Sequence, residues 1–459
     1  MTALQKKPEN PIAHLSAEDV ELIGKELDTI RQEVRDSLGE ADAAYIRRVI
    51  DTQRKIELGS RAVLLASFFP PAWIVGTVGL SVAKILENME IGHNILHGQW
   101  DWMRDPKIHS TTWEWDSASP AEQWKHSHNE LHHTYTNVIG KDNDLGYGIM
   151  RVDEDQPWHP LYLGQPLWNF VNACFFEYGI AAYDLELGKN LASKRRRNDP
   201  EFRARARQVG RKIRNQVAKD YVVHPLLSGP SFVSTLAANF TANVVRNLWS
   251  HSVIMCGHFP EGVETFEKTS IDGETRGEWY LRQMLGSANI SGSKAMHIMT
   301  GNLSHQVEHH LFPDLPSNRY AEIAPKVKDI FDRYGLTYHS APLPQQVASA
   351  WHKVIRLSLP NDWLAETRPS NLPAQLGKLW KMTTGGKKVR RALQARPAAA
   401  LAGSIAFAAA KRSSIGSSVK RNVRLAAKRA IHPSSAKTAP CERRTSRPSA
   451  SGSAAATSR

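Results

Sequence analysis

The chain has 459 residues and a net charge of +14, and the positive charge is concentrated at one end. Residues 378–459 contain 19 Lys or Arg and one acidic residue, so this tail carries +18 and residues 1–377 carry −4. Three widely spaced cysteines exclude a disulfide framework and a Cys-x-x-Cys zinc site: Cys174, Cys256 and Cys441.

Residues 1–60 are predicted to form amphipathic helices in the cytosol. Ser16 and Asp19 have the spacing of a capping box, and apolar residues then recur every three or four positions up to Leu38. A second helix is predicted over residues 44–58. The polar first residues, MTALQKKPENP, contain no secretory signal pattern. We expect no catalytic residue in this region.

Residues 61–365 are predicted to form a membrane domain, because they contain long apolar stretches. Residues 62–86 suffice for one crossing of about 20 residues, and Pro70-Pro71 would allow a bent hairpin instead. Residues 222–259 are nearly twice as long as one crossing and are interrupted by Ser228-Gly229-Pro230. They would form two arms or one long helix.

A shorter apolar stretch, residues 168–183, precedes a basic block at residues 194–214. Basic residues favour the cytosolic side, so a single crossing by 168–183 would place the block on the wrong side. We therefore expect 168–183 to lie at the membrane interface. Overall the sequence predicts an all-α, multi-pass protein, with four crossings and with both termini on the cytosolic face.

Histidines cluster in three short motifs, GHNILHG, HNELHH and HQVEHH. Residues four apart lie on the same face of an α-helix, so each motif would present its imidazoles together. Isolated structural histidines do not explain three such motifs in one chain. The residues are His93, His97, His128, His132, His133, His305, His309 and His310.

Eight or nine imidazoles are enough ligands for two metal ions. Imidazole binds zinc, iron, copper and nickel. Four ligands saturate a structural zinc site, and the lack of cysteine ligands disfavours an iron–sulfur cluster. The set favours open coordination positions for oxygen or water. Because the motifs lie beside apolar stretches, we predict that a helical cytosolic cap carries this two-metal site and that the site oxidises a lipid.

The basic tail, residues 378–459, is rich in Ala, Ser, Lys and Arg, which is typical of disorder. Basic tails often bind nucleic acid, but this one lacks interleaved aromatic residues, so no nucleic-acid partner is expected. Contact with anionic lipid and a solvated linker are equally compatible with its composition.

The three motifs resemble the histidine boxes of the integral-membrane fatty acid desaturases, in order and in separation. The strings HTYTNV, GKDNDLGYG and GNLSHQVEHHLFPDLPSNRY further resemble the acyl-CoA delta-9 desaturases of actinobacteria. The resemblance covers about residues 15–365. The first box is HxxxH where animal stearoyl-CoA desaturases have HxxxxH. In the third box Gln306 stands where those proteins have histidine. The ligand at this end of the box is therefore either His305 or absent.

This resemblance implies two iron ions that use O2 and two electrons to remove two hydrogens from a saturated acyl chain. The product would carry a cis double bond at the delta-9 position of a substrate such as stearoyl-CoA. The implied partners are fatty acyl-CoA, membrane lipid and a separate reductase or ferredoxin-type carrier, because the chain has no GxGxxG or HPGG motif. The alternatives are a lipid or carotenoid hydroxylase and a histidine-rich metal transporter.

The resemblance also implies one histidine beyond the boxes. We prefer His258, in CGHFPEG, over His251, in NLWSHS. If His251 is the ligand instead, Asn247, four residues before it, would hold a bound water. Carboxylates near the boxes are candidates to accept hydrogen bonds from the ligand rings: Glu130, Asp142, Asp144 and Glu308.

Overall fold

The computed structural model of the protein describes residues 10–142, 144–361, 363 and 375. Within this part of the chain the predicted all-α class is confirmed. The α-helices are α1 Ala17–Asp36, α2 Glu40–Leu64, α3 Pro70–Leu86, α4 Asn94–Leu96, α5 Ala121–Lys125, α6 Gln165–Cys174, α7 Phe176–Asp184, α8 Leu187–Leu191, α9 Lys194–Arg197, α10 Pro200–Ala218, α11 His224–Leu227, α12 Phe232–His258, α13 Arg276–Leu285, α14 Lys294–Met299, α15 Gln306–Leu311, α16 Tyr320–Arg333 and α17 Leu343–Leu357.

Other regular elements are short. Three segments are π-helical, with hydrogen bonds from residue i+5 to residue i: Glu87–His93, His126–His132 and Lys219–Val223. Two strands, β1 (Asn289–Ser291) and β2 (Ser340–Pro342), pair in parallel. The tail predicted to be disordered, residues 378–459, and Cys441 lie outside the described residues.

The first N-terminal helix begins where the sequence predicts. The Asp19 backbone N–H donates to Ser16 Oγ at 3.1 Å, and the Ser16 N–H donates to the Asp19 carboxylate at 2.8 Å. These two bonds form the capping box of α1. The apolar face of α1, including Ile23 and Leu27, is buried in the core that also contains Val307 of α15. The N-terminal region therefore supports the third histidine motif.

The first apolar stretch, residues 62–86, is not one continuous helix. α2 continues to Leu64 and α3 begins at Pro70, so the chain turns between them and the two helices pack together. Proline suits the first turn of α3, where no intrahelical N–H donor is needed. A Cβ on Gly76 would lie 2.6 Å from Leu64 Cγ, so this packing depends on glycine. The chain therefore turns just before Pro70-Pro71, close to the bend of the hairpin alternative, but its first arm is the 25-residue α2, which runs through the predicted domain boundary at residue 60.

The other two apolar stretches are also interrupted. α6 and α7 meet at Phe175. α11 ends at Leu227 and α12 begins at Phe232, with Gly229 between them in the left-handed conformation at φ +51°. Among the helices of the described residues, none is at once long enough and apolar enough to cross a membrane.

A group of opposite charges, the ion cluster, joins α2 and α3 to the π-helical segment before α11, and its members Lys84 and Asp220 are buried. Its members are Arg61, Lys84, Asp116, Lys219 and Asp220. Lys84 Nζ lies 2.7 Å from Asp220 Oδ2, and Arg61 Nη2 lies 3.0 Å from Asp220 Oδ1. Lys219 Nζ lies 2.5 Å from Asp116 Oδ2. Every charged side chain in the ion cluster therefore has an opposite partner within it.

Candidate metal centre

The second histidine motif lies in a π-helical turn and not in the ordinary α-helix that its spacing predicts. The first motif follows a π-helical segment, but the His97 N–H donates to the His93 carbonyl at 3.1 Å, as in an α-helix. His93 ends the Glu87–His93 segment, and His128 and His132 lie in the next one. The backbone N–H of His133 donates to the carbonyl of His128 at 3.1 Å, five residues earlier. In a wider turn, residues at i+4 and i+5 both lie close to residue i. This places His132 and His133 on the same side as His128.

Four histidines from all three motifs form the first histidine group: His93, His97, His128 and His309. One ring nitrogen of each lies within 4.8 Å of those of the others. The His309 ring centroid is 5.0 Å from that of His93 and 4.7 Å from that of His97. Residues more than two hundred positions apart therefore converge on one buried point.

Three histidines form the second histidine group: His132, His258 and His310, again with ring nitrogens within 4.8 Å of one another. The Nε2 atoms of His258 and His310 are 3.1 Å apart. Nitrogens bonded to one ion at about 2.0–2.1 Å stand at about this separation from each other. The geometry of this group therefore suits shared ligation.

His133 lies between the two groups. Its ring stacks on His310 with centroids 4.4 Å apart, and it lies edge-on to His97 at 4.7 Å. The side chain is buried, and neither ring nitrogen has a hydrogen-bond partner among the described residues. Buried polar atoms are rarely left without a partner unless they serve another purpose. His133 is therefore free to bind a metal at either group.

In several rings Nδ1 is occupied by a protein acceptor. His128 Nδ1 donates to Asp144 Oδ2 at 2.8 Å, and His132 Nδ1 donates to the Asp142 carboxylate at 3.0 Å. Neutral acceptors serve other rings: Asn94 Oδ1 for His93, the Gly286 carbonyl for His258 and Gln283 Oε1 for His310. An N–H donated from Nδ1 leaves the lone pair on Nε2 and fixes the ring orientation.

The ring environments keep most of these imidazoles neutral. Burial, the largest cause, lowers the pKa of His93 to about 4. Burial and neighbouring rings also hold the pKa of His97 and His309 well below the ordinary value. His132 differs: burial would lower its pKa, but the Asp142 carboxylate raises it above the usual range. A neutral imidazole has the free lone pair that a metal ligand needs.

The donor set fits two metal ions by its own chemistry. The Nε2 atoms of His97, His128 and His309 are buried and have no hydrogen-bond partner among the described residues. They belong to a group whose ring nitrogens lie close together. In the second group the ring nitrogens of three histidines are also close together. Two adjacent imidazole groups, with His133 between them, provide the ligands that two first-row transition metals require.

Other predicted site residues lie outside both groups. The ring of His305 stacks on His297, with centroids 4.5 Å apart. His251 bonds through Nε2 to Asn169 Oδ1 at 2.9 Å. Asn247 donates to the Cys174 carbonyl at 3.1 Å. Gln306, by contrast, lies beside the second group, with its Nε2 3.0 Å from His258 Nε2. A ligand role for any of these residues stays a prediction.

The four candidate carboxylates differ in their hydrogen-bond partners. Asp142 and Asp144 accept hydrogen bonds from grouped histidines, as described above. Glu130 instead forms an exposed pair with His126, which lies outside both groups. Glu308 is buried and accepts from Asn289 Nδ2 at 2.9 Å and from the Tyr338 hydroxyl at 2.7 Å.

Sequence reasoning missed several residues around the groups. Trp124 stacks on His128 with ring centroids 4.5 Å apart and lies edge-on to His93 and His97. Its position four residues before His128 was an available signal. Tyr320 places its hydroxyl 3.3 Å from His309 Nδ1, and Gln283 contacts His310 at the same distance. No motif marked those two.

Comparison with known proteins decides the family. The model of the family described as fatty acid desaturase matches residues 68–342. The chain belongs to the fatty acid desaturase family. It is 48% identical over 376 residues to an NADPH-dependent stearoyl-CoA 9-desaturase of Mycobacterium tuberculosis, an alignment that covers 80% of this chain and 88% of that protein.

More distant members of the desaturase family act on other substrates, as their names state. An sn-1 linoleoyl-lipid 6-desaturase of Synechocystis is 26% identical over 288 residues, covering 61% of this chain and 79% of the relative. An acyl-lipid (7-3)-desaturase of Rebecca salina is 24% identical over 223 residues, covering 48% of this chain and 49% of the relative. The two histidine groups thus belong to a member of a family that acts on fatty acyl groups.

Proposed function

We propose that this chain is an acyl-CoA desaturase that introduces a cis double bond at the delta-9 position of a saturated chain such as stearoyl-CoA, with two iron ions. The observation that carries the proposal is the pair of adjacent histidine groups, with buried ring nitrogens that have no partner among the described residues. The 48% identical relative, named as a stearoyl-CoA 9-desaturase, supports the substrate class and the position of the double bond.

The chemical difficulty is that a methylene pair in an acyl chain offers no acidic proton and no electrophilic carbon. Iron ions bound by the two groups would supply the oxidising power, consuming O2, two electrons and two protons as two hydrogens leave the chain and two waters form. The protein residues hold and orient the ligand rings. Burial of His309 and His310, both fully shielded, keeps bulk water away from the site.

Membrane attachment is the second part of the proposal. Large apolar side chains are exposed on or beside α3, α6, α11 and α12, and such a surface is unusual for a protein surrounded by water. We propose that these helices anchor an integral, multi-pass protein, with the histidine groups and both termini on the cytosolic face. The side chains are Phe68, Phe69, Ile74, Val75, Val78, Leu167, Phe170, Leu226, Leu227 and Val233.

Two partners follow from this chemistry. The electrons must come from a separate protein, because the chain has no motif typical of a nicotinamide or haem module. The NADPH dependence in the name of the M. tuberculosis relative supports a reductase as that protein. The other partner is the fatty acyl-CoA substrate, dissolved in or resting against membrane lipid.

The test is turnover by the full chain purified with lipid, loaded with iron and supplied with stearoyl-CoA, O2 and a reductase system. Mass analysis should show a product that has lost two hydrogens, with the double bond at the delta-9 position. A product that has gained one oxygen would indicate hydroxylation. Full activity in a preparation without a transition metal would overturn the proposal. Cysteine labelling from each side of a vesicle tests the orientation separately.

A further inference from the structure

Glu90 is a buried carboxylate in the first π-helical segment that the site described above does not use. Its side chain is completely shielded from solvent. It accepts hydrogen bonds from the Tyr45 hydroxyl at 2.9 Å, from Asn302 Nδ2 at 2.9 Å and from the Ser317 hydroxyl at 2.7 Å. No Lys or Arg within the described ranges forms an ion pair with it. A buried charge without a cation is costly and needs a reason.

The three donors come from three different parts of the chain. Tyr45 lies on α2, Asn302 lies in the turn between α14 and α15, and Ser317 follows the third histidine motif. Glu90 itself lies three residues before His93 on the segment that leads into the first motif. Its carboxylate therefore joins the first histidine motif to the segments on either side of the third motif.

A second set of contacts presses the same turn against the first motif. Asn94 Nδ2 donates to the Gly301 carbonyl at 3.1 Å, while Asn94 Oδ1 accepts from His93 Nδ1 at 3.0 Å. Gly301 has φ +69°, and a Cβ there would lie 2.6 Å from the Met89 carbonyl oxygen. The turn at residues 301–302 and the π-helical segment are thus in backbone contact. The hydrogen bonds of Glu90 and Asn94 stabilise this contact.

What this junction determines is the distance between the first motif and α15. The His305 N–H donates to the Asn302 carbonyl at 2.9 Å, so the turn leads directly into α15. α15 also has its own anchor, because Glu308 is bonded by Asn289 and Tyr338. Loosening the junction would therefore move His93 and His97 away from His309 and leave the position of α15 unchanged.

We propose that Glu90 is a positioning residue that holds the first histidine motif against the third and so assembles the first histidine group. The second group, His132, His258 and His310, has no member on the Glu90 segment and forms without it. This inference rests on the proposed metal centre and adds a difference to it: the first group contains two rings that follow Glu90 in the chain and depends on that carboxylate, whereas the second group contains none.

The experiment measures metal bound per chain after reconstitution of the full chain with iron, followed by gel filtration. Glu90→Ala should lose about half of the metal that the wild type retains. Glu90→Gln keeps the size and one acceptor oxygen but weakens the charge-assisted bonds, so it should recover part of the loss. Asn302→Gly removes one donor, and glycine suits the left-handed backbone of this residue at φ +55°. It should lower metal binding in the same direction.

Glu87 offers a matched control on the same π-helical segment. It is also a buried glutamate, and its pKa, like that of Glu90, is raised by burial to about 7. Unlike Glu90, it has a cation nearby, with Oε2 3.8 Å from Arg54 Nη1. It makes no bond to the 301–302 turn in the described structure. Glu87→Gln should therefore retain the full wild-type metal content.

The outcomes separate this inference from the proposed function. If the wild type binds no transition metal, the proposed centre itself is wrong. If the wild type binds two metal ions and both Glu90 variants also bind two, with unchanged iron spectra, the positioning role is wrong and the centre stands. Equal loss in the Glu87 and Glu90 variants would show a general effect of buried charge, which also overturns the role. Each variant is compared only after its unfolding midpoint is shown to match the wild type.

Discussion

Two buried polar regions of this protein are built in opposite ways. In the ion cluster, Lys84, Arg61 and Lys219 each lie within 3.0 Å of a carboxylate oxygen. In the histidine groups, most of the side chains are neutral and several ring nitrogens have no partner within the described part of the chain. The ion cluster is complete by itself, whereas the histidine groups are complete only with something bound.

The difference indicates which region stabilises the fold and which performs chemistry. A paired buried charge becomes strongly unfavourable when its partner is removed, so the ion cluster binds its helices together. A buried nitrogen with no partner already costs free energy in the folded protein, and a metal ion would recover that cost. Substitutions in the two regions should therefore separate stability from activity.

The largest effect on activity is expected for His309→Ala. His309 is fully buried and contacts His93 and His97 in the first group and His133 between the groups. Loss of one ligand should lower turnover more than about 100-fold, beyond the usual effect of losing a partner of a ligand. Product formation by mass analysis measures it. His305→Ala, in the same motif but stacked on His297, serves as the control and should remain within a few-fold of wild type.

The largest effect on stability is expected for Lys84→Met. It leaves Asp220 buried with one cation fewer, and removal of one partner of a buried pair costs about 3–5 kcal/mol. Denaturant unfolding of the metal-free chain measures the loss. Lys55→Met breaks an exposed pair with Asp51, so it should cost under about 1 kcal/mol. If Lys84→Met has the wild-type free energy of unfolding but no longer binds metal, the ion cluster does not have the stabilising role assigned to it.

Asp142→Asn should weaken metal binding. The Asp142 carboxylate accepts the N–H of His132, and outer partners of this kind typically contribute 10–100-fold in metal affinity, so a loss of about that size is expected. Transfer of metal to a competing chelator measures it. Glu130→Gln is the control, because Glu130 pairs only with exposed His126 among the described residues. Equal metal loss in the two variants would contradict the assigned role of Asp142.

Acid should weaken the ion cluster through Asp220. Burial would raise the pKa of Asp220, but Lys84, Lys219 and Arg61 lower it to about 2. A carboxyl with a depressed pKa contributes stability that is present above its unfolded value, about 3.9, and is lost as the pH falls through about 2. This loss should be about 2 kcal/mol. Unfolding curves between pH 5 and pH 2 measure it, and in Lys84→Met the decline should be smaller, because the pKa of Asp220 would lie closer to its unfolded value.

The parts of this architecture that follow from local rules could be predicted from the sequence. Ser16 and Asp19 mark the start of α1, and Pro70 marks the start of α3, because each acts through its own backbone. The convergence of the three motifs was also predictable, since isolated structural histidines do not recur at helical spacing in three places along one chain. The choice of His258 over His251 came from family resemblance, and the structure places only His258 in a histidine group.

The remainder depends on contacts between distant segments. His305 has the same spacing in its motif as His128 has in HNELHH, yet it packs on His297 because α14 lies beside it. Asp142 and Glu308 are both buried carboxylates near histidines, but only Asp142 contacts a grouped ring. The π-helical turns could not be predicted either, because residue spacing does not reveal which carbonyl each N–H will reach.

Those wider turns have a consequence for changes in chain length. A turn closed by an i+5 bond holds one more residue than an α-helical turn, so deleting a single residue between Glu87 and His93 would allow an ordinary helix to form. Everything after the deletion would then rotate by about 100° around the helix axis. His97 would point away from His309 although no histidine had been removed. Among related chains, gaps and insertions at this position would therefore be more damaging than most substitutions.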